Sequence, residues 1–487
     1  MRTTTSTTSS FFFYDLETSG FNPREARIMQ FAGQRTDLQL KPIGDPHNYL
    51  IRMSDDVLPE PDAVLITGIT PQKTLAEGMH EAEFLKVFHE EIATPGTIFV
   101  GFNTIRFDDE FMRFLNYRNF YDPYEWQWQN GRSKWDLLDV VRMTRALRPD
   151  GIKWPVDSKG KPTNRLELLT SLNGLGHDHA HDALSDVTAT IAVAQLIRTT
   201  QPKLFDYLLT VRDKKSIASL VMDKKPFVYA SGKYPGEFEK TTVASVLAEH
   251  PQGGAALVFD LRHDPALFLE MDAAALAEAW RWRPPTEEEG GPRLPVKTMK
   301  FNRCPAVAPL GVLDAASQQR LKLDPKVFTA NYKKLQAAGQ QFSQKVLEAL
   351  QLMDKKQQAR LLEDESDVDA RLYEDFFAAE DKAKMSMVRG AGAEGLSSLN
   401  VRFKDGRLEA LLPLYKARNY PKSLSDEERA TWERFRERKL MGGGEASRAA
   451  RYFARLSELA KQPNLTGEQQ YLLEELQLYG QSILPTA

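Results

Sequence analysis

Three short acidic motifs constrain this chain more than anything else in it: Asp15-Leu16-Glu17-Thr18, Asn103-Thr104-Ile105-Arg106-Phe107-Asp108 and His181-Asp182-Ala183-Leu184-Ser185-Asp186. The first follows the apolar run Phe11-Phe12-Phe13-Tyr14, which suits a buried strand. Asp15 and Glu17 are then two apart on that strand, so both side chains leave the same face of its sheet. Two carboxylates held close together repel each other strongly, and a bound divalent cation is the usual remedy. For that pair alone, a solvated strand end carrying two unrelated acids is the alternative.

The other motifs narrow the choice. Asp108 follows a strand expected over Thr97-Ile98-Phe99-Val100-Gly101-Phe102 and opens a helix expected over 109–117. An acid there can simply favour the helix dipole, but Asn-x-x-x-Phe-Asp is a more restrictive pattern. His181 stands at the entry to a helix expected over 183–197, where an imidazole can take a proton near neutrality while Asp186 binds a metal. His177 and His179 read as surface histidines; Asp178 and Asp182 are rival carboxylates, and Asp186 fits the motif spacing. Asp15, Glu17, Asp108 and Asp186 with His181 supply hard oxygen ligands and a base, the minimum that phosphodiester hydrolysis by two Mg²⁺ ions requires. Mn²⁺ should substitute, whereas zinc would want nitrogen or sulfur ligands.

A chain of 487 residues is too long for one ordinary core, so two or three domains are expected. The first part alternates strands and helices, with Ile28-Met29-Gln30-Phe31-Ala32-Gly33 a further strand and 136–147 a further helix. That mix predicts an α/β sheet with its site at the strand ends. After Gln201-Pro202 the pattern turns β-rich, with strands over 227–232, 255–261 and 296–301 and a loop over Pro284–Pro292, extending to about residue 352. Beyond it strands disappear. Leu372, Phe376 and Phe377 fall on one face of an expected helix, Ser425-Asp426-Glu427-Glu428 is a capping box before Trp432 and Phe435, and Gly442-Gly443-Gly444 breaks two helices.

The lone cysteine, Cys304, excludes an intrachain disulfide and a cysteine-based zinc site. A net charge of −3 argues against a wholly basic nucleic-acid binder, yet leaves room for a local basic groove beside an acidic metal site. No apolar run approaches the ~20 residues that span a bilayer, and the run at Phe11 is too short for a signal segment; a cytoplasmic protein is expected. Tyr124 and Trp128 share a face whether their segment is helical or extended, and Trp126 joins them only if it is extended. Exposed rings at that spacing could stack on successive bases, with core packing the alternative. Arg113, Arg142 and Arg165 could hold phosphates, although solvated helix faces are the default for any single arginine.

These residues resemble the DEDD exonuclease superfamily, in its DnaQ-like branch with a motif-III histidine. Longer strings narrow the resemblance to the bacterial exonuclease I family: Val64 to Gln72, Tyr117 to Tyr124, Trp135 to Val140, Ala180 to Ala183, Gln201 to Tyr207, Asn302 to Pro305 and Tyr415 to Pro421. The resemblance implies a ribonuclease-H-like α/β exonuclease domain (1–200), an SH3-like β-barrel domain (201–352) and an α-helical C-terminal domain (353–487), closed as a C-shaped clamp around single-stranded DNA. It implies a monomeric enzyme of DNA repair and recombination that degrades the strand processively from its 3′ end and releases 5′-mononucleotides. Asp15, Glu17, Asp108 and Asp186 then match the metal ligands and His181 the general base. Arg165 matches a contact near the terminal phosphate, and Arg113, Tyr124, Trp128 and Arg142 match strand contacts. Arg148 and Tyr207 match positions that hold the acidic C-terminal tail of single-stranded DNA-binding protein, a pocket whose other basic positions find no match. Leu16 and Ser19 depart from the family, which more often has aromatics there. An RNA-directed 3′→5′ exonuclease shares the motifs but is much shorter, and a non-catalytic DNA-binding scaffold would be expected to lose a ligand.

Overall fold

In the computed structural model, which describes residues 9–176, 182–281, 292–362 and 367–485, the run Phe11 to Tyr14 lies within strand β1 (Ser10–Thr18) and is buried on both of its faces. A strand with no polar face needs cover on both sides, which places it inside a sheet. β1 pairs antiparallel with β2 (Ile28–Thr36), setting Asp15 opposite Ala32 and Glu17 opposite Gln30. β2 pairs antiparallel with β3 (His47–Leu50), and β1 pairs parallel with β4 (Thr97–Gly101), giving the order β3-β2-β1-β4. A Cβ on Gly33 would lie 2.4 Å from the Phe12 ring, so glycine is required where β2 passes that side chain.

The chain gathers into two units. The first joins Met1–Ser133 and His177–Thr188 to the distant Ser366–Ala487. Its sheet is packed by aromatic rings, with Phe88, Phe99 and Tyr14 around a fully buried Trp126. The helix Asp108–Arg118 turns its far end toward the C-terminal segment, where Phe114, Tyr117 and Phe120 share one core with Leu372, Val388, Leu411 and Tyr415. A buried ion cluster fastens the same pieces. Asp369 accepts from Arg27 at 2.8 Å, from Arg418 at 2.7 Å and from Lys439 at 3.2 Å, while Asp56 accepts from Arg418 at 2.7 Å and Lys439 at 2.6 Å.

The face expected to carry Leu372, Phe376 and Phe377 on a helix is not helical. Arg407 donates to the carbonyls of Arg371, Leu372 and Asp375, which takes the acceptors that a helix there would need. Leu372 is buried, Phe377 stacks on Tyr117 and Phe376 stands in water. The remaining C-terminal expectations hold: Ser425 and Glu428 close a capping box on the helix Asp426–Met441, and Gly442 ends it.

The second unit comprises Lys134–Gly176 and Ala189–Glu365. It carries an antiparallel sheet of β6 (Phe227–Ala230), β7 (Thr241–Glu249), β8 (Ala255–Asp260), β9 (Val296–Lys300) and β10 (Ala306–Pro309), in the order β10-β6-β7-β8-β9; β5 (Ser133–Asp136) starts at the unit boundary. β7 escaped sequence reading because its central Thr, Ala and Ser positions lack a strong apolar alternation. The β-rich part ends at Pro309, short of residue 352, which falls inside the helical segment Pro325–Leu362. The loop expected over Pro284–Pro292 lies almost wholly outside the described residues. No described helix is long and apolar enough to cross a membrane.

Candidate active site

Strand alternation does what the Asp-x-Glu spacing predicts. Asp15 and Glu17 project together from β1, and Asp186, in the first turn of the helix Ala183–Thr200, completes a group whose ligand oxygens all lie within 4.8 Å of one another. Glu17 is buried and Asp15 and Asp186 are half-buried. Burial is the main force raising the Asp15 carboxyl well above its ordinary range, followed by the charges of Asp108, Asp186 and Asp182. The same causes, burial first and then Asp15, Asp186 and Asp182, push Glu17 up to about 9. Carboxylates so placed resist ionising together unless a cation joins them. The donor set is oxygen throughout, which fits a hard divalent ion such as Mg²⁺.

Asp108 reaches this site by a different route. β4 ends at Gly101, where a Cβ would collide with Thr104 at 2.0 Å, and Asn103 then adopts a left-handed conformation (φ 73°) that asparagine tolerates. The chain thereby swings into the helix Asp108–Arg118. Buried Asp108 accepts the backbone N–H of Leu16 at 3.1 Å, so it bears on Asp15 without joining the three clustered ligands. Its neighbour Asp109 accepts the Tyr14 hydroxyl at 2.6 Å. Of the rival carboxylates, Asp182 is a helix cap: it accepts the Ser185 N–H at 3.1 Å and the Gln30 amide at 3.2 Å. Asp178 and His181 lie outside the described residues.

The expected strand contacts fall in two settings. In the first unit, Arg113 is buried and bonds Glu110 at 2.7 Å and Gln127 at 3.0 Å. Burial opposes its charge, but Asp109 and Glu110 outweigh burial and hold the guanidinium above its usual range. It also lies 5.8 Å over the half-buried Tyr124 ring. The turn Glu125–Gln127 is a short 3-10 segment, so Trp126 points into the core while Trp128 is 61% exposed. In the second unit, Arg142 bonds Asp139 at 2.6 Å and Arg165 is exposed at the head of the helix Leu166–Leu172. Arg148 bonds the Val312 carbonyl at 3.0 Å and Asp314 at 3.3 Å, and the Tyr207 hydroxyl donates to the Val307 carbonyl at 3.3 Å.

Sequence reasoning gave no site role to two exposed rings of the first unit, Phe21 and Phe376, the second of which it placed on a helix face. Phe376 packs 5.6 Å from Tyr124. Only the apolar residue directly after the Ser19-Gly20 turn could have signalled Phe21.

Family models match the chain in three consecutive stretches: an exonuclease domain over 12–194, an exonuclease I SH3-like domain over 212–351 and an exonuclease I C-terminal domain over 366–483. Exodeoxyribonuclease I of Escherichia coli K12 is 41% identical over 427 residues, covering 87% of this chain and 88% of the relative. The chain belongs to the exonuclease I family. Exodeoxyribonuclease I of Haemophilus influenzae is 38% identical over 479 residues, covering 98% of this chain and 99% of that protein. Among solved structures, exonuclease I from Methylocaldum szegediense superposes with a TM-score of 0.91 at 40% identity, covering 98% of this chain and all of that one. E. coli exonuclease I in complex with a dA16 oligonucleotide superposes at 0.90 and 39% identity, again over 98% of this chain and 100% of the other. The architecture is therefore an α/β exonuclease domain followed by an SH3-like and a C-terminal exonuclease I domain, and the enzyme class is that of a divalent-metal nuclease.

Proposed function

We propose that this chain degrades single-stranded DNA from its 3′ end, releasing 5′-mononucleotides by hydrolysis at a site that holds two Mg²⁺ ions. The clustering of Asp15, Glu17 and Asp186 oxygens within 4.8 Å carries this reading, because carboxylates so close together, one buried and two half-buried, repel one another and a bound cation relieves that repulsion. E. coli exonuclease I has been solved with oligonucleotides and in a zinc-bound form with single-stranded DNA, which supports a single-stranded DNA substrate and a divalent metal.

Bound there, the two ions supply a Lewis acid for the scissile phosphate and lower the pKa of the attacking water. The residues do the rest. Asp15, Glu17 and Asp186 would hold the metal, and Asp108, fixed on the Leu16 amide, would support Asp15 from the helix side and contribute directly or through water. His181 accepts the proton of the attacking water. Arg165 holds the phosphate near the strand terminus, Arg113 and Arg142 hold phosphates further along, and Tyr124 and Trp128 stack on bases. Stacking serves every base, so the enzyme acts without reading sequence.

The domain limits we assign are 1–200, 201–352 and 353–487. A second partner is the acidic C-terminal tail of single-stranded DNA-binding protein, received by Arg148 and Tyr207. A related exonuclease I has been solved as an SSB/exonuclease I complex with an inhibitor, which supports the partner.

The test uses a 5′-labelled single-stranded oligonucleotide with Mg²⁺, with EDTA and with His181→Ala, beside a blunt duplex and the matching RNA. Shortening from the 3′ end by the unaltered protein alone, on single-stranded DNA and with metal, is expected. Tight binding without shortening in Mg²⁺ or Mn²⁺ would overturn the enzyme reading, and equal shortening of the RNA would overturn the substrate.

A further inference from the structure

Arg145 stands in the last turn of the helix Leu137–Leu147, where a cation ordinarily serves its own helix's terminal carbonyls or faces water. Here it reaches another segment instead. It is 5% exposed, and its Nη1 donates to the carbonyls of Pro155 at 2.9 Å and Thr163 at 2.6 Å. Those two residues are the ends of a hairpin. Thr163 N–H donates to the Pro155 carbonyl at 3.2 Å, Val156 bridges Pro162, and Asp157 N–H donates to the Lys161 carbonyl at 2.8 Å. The guanidinium also lies 5.6 Å over the Trp154 ring. One side chain therefore clamps both ends of the hairpin. Arg165 follows two residues after Thr163, at the head of the helix Leu166–Leu172.

A buried guanidinium needs an anion beside it. Glu239 supplies one, with Oε2 2.7 Å from Arg145 Nε and its side chain 14% exposed. Burial draws Arg145 below its usual range, and Glu239 works against that. Glu239 lies in the connection between β6 and β7, where it and Lys240 take consecutive left-handed conformations, φ 48° and 55°. Residues with side chains persist there only where their surroundings over-determine them. The turn provides for this: Glu239 N–H donates to the Gly236 carbonyl at 2.9 Å, Lys240 N–H to the Pro235 carbonyl at 3.1 Å, and Ser231 N–H to the Lys240 carbonyl at 2.8 Å. Its product is one carboxylate aimed at Arg145.

Arg145 and the hairpin fall within the exonuclease stretch, 12–194, whereas Glu239 belongs to the SH3-like stretch, 212–351. We infer that Glu239 and Arg145 are positioning residues for Arg165: through this pair and the hairpin, the SH3-like domain sets where the Arg165 guanidinium meets the substrate phosphate. Both act from behind the surface, and the contact itself is made by Arg165. This rests on the phosphate role of Arg165 proposed above.

The test measures kcat/KM for cleavage of a 5′-labelled single-stranded oligonucleotide in Mg²⁺ by the full-length protein, Glu239→Ala, Arg165→Ala and the double variant. Glu239→Ala is expected to lower kcat/KM roughly tenfold, since a small misplacement of a positioning contact is costly. In the Arg165→Ala background the same change should cost less than about twofold, because the side chain it positions is gone. Glu239→Gln, which keeps an oxygen for Arg145, should recover most of the loss, and it runs the same cycle if Glu239→Ala does not fold. Unaltered kcat/KM in Glu239→Ala, or a loss repeated in full in the Arg165→Ala background, would overturn the inference and leave the nuclease reading intact. Full activity of Arg165→Ala would overturn the phosphate role of Arg165 and the inference with it. Failure of the unsubstituted protein to cleave would overturn the nuclease reading itself.

Discussion

Asp108 Oδ1 accepts the backbone N–H of Leu16 at 3.1 Å, so the helix that carries Asp108 is registered on β1 at the residue between Asp15 and Glu17. One side chain thus sets the helix against the strand and adds negative charge to Asp15. The two roles can be separated. Asp108→Asn keeps an oxygen for the Leu16 amide and removes the charge, so thermal stability in EDTA should hold or rise while turnover falls by more than about tenfold. Asp108→Ala also strands a buried N–H, so it should lose about 1–3 kcal/mol of stability as well. Calorimetry and the oligonucleotide assay check both variants; equal stability in the two would show that the Leu16 bond does not matter.

The carboxylate cluster should cost the metal-free protein stability. Burial, then Asp15, Asp186 and Asp182, push Glu17 up to about 9. An acid whose folded pKa exceeds its unfolded one penalises the folded state at high pH, and the penalty fades as pH falls from about 9 toward the unfolded value near ~4.3. In EDTA the melting temperature should therefore rise as pH drops from about 9 to about 6. Saturating Mg²⁺ should flatten that slope, and Glu17→Gln should flatten it without metal, adding up to about 5 kcal/mol at pH 8 while abolishing cleavage. A Glu17→Gln protein less stable than the parent in EDTA would contradict this account.

The Asp56–Asp369 cluster has the opposite sign. Burial works against both charges, but Arg418, Lys439 and Arg27 outweigh it and hold both carboxyls well below the usual range. A depressed folded pKa stabilises above the unfolded carboxylate value of ~3.9 and loses that contribution as pH falls below it. This part of the pH profile should be flat near neutrality and collapse under acid. Asp369→Ala leaves Arg27, Arg418 and Lys439 buried with too few anions and should cost about 3–5 kcal/mol at pH 7, read by denaturant unfolding. Retained stability in that variant would show that the cluster is neutral in net energy.

What sequence could reveal of this site followed from the range of each interaction. Asp15 and Glu17 were legible together because a strand's period of two is local, and Asp108 because Asn-x-x-x-Phe-Asp is a restrictive local pattern between a strand and a helix. The choice of Asp186 over Asp182 rested on motif spacing, and the geometry now gives a separate ground, since Asp182 is spent on capping the helix through Ser185. The ion cluster was invisible for the converse reason. Asp56, Asp369 and Arg418 come from remote parts of the chain, and nothing local distinguishes them from solvated charges. The helix expected at Leu372 to Phe377 failed on an equally distant cause, the Arg407 guanidinium occupying its carbonyls.

Trp126 and Trp128 give the sharpest separation of stability from binding. Two residues apart, they differ completely in surroundings: Trp126 is fully buried with Phe99, Phe88 and Tyr14 at centroid distances of 5.0, 5.6 and 6.4 Å, whereas Trp128 is 61% exposed. Trp126→Ala removes the centre of an aromatic core and should cost about 3–5 kcal/mol. Trp128→Ala should change stability by less than about 0.5 kcal/mol, as exposed substitutions do. Its effect should appear in binding, where loss of one stacked base weakens affinity by about 1–3 kcal/mol, roughly fivefold to a hundredfold. Anisotropy of a labelled single-stranded oligonucleotide in EDTA measures that affinity without cleavage. If Trp128→Ala binds as tightly as the parent, the DNA does not pass over this ring, and Tyr124 with Phe376 becomes the stacking surface to test next.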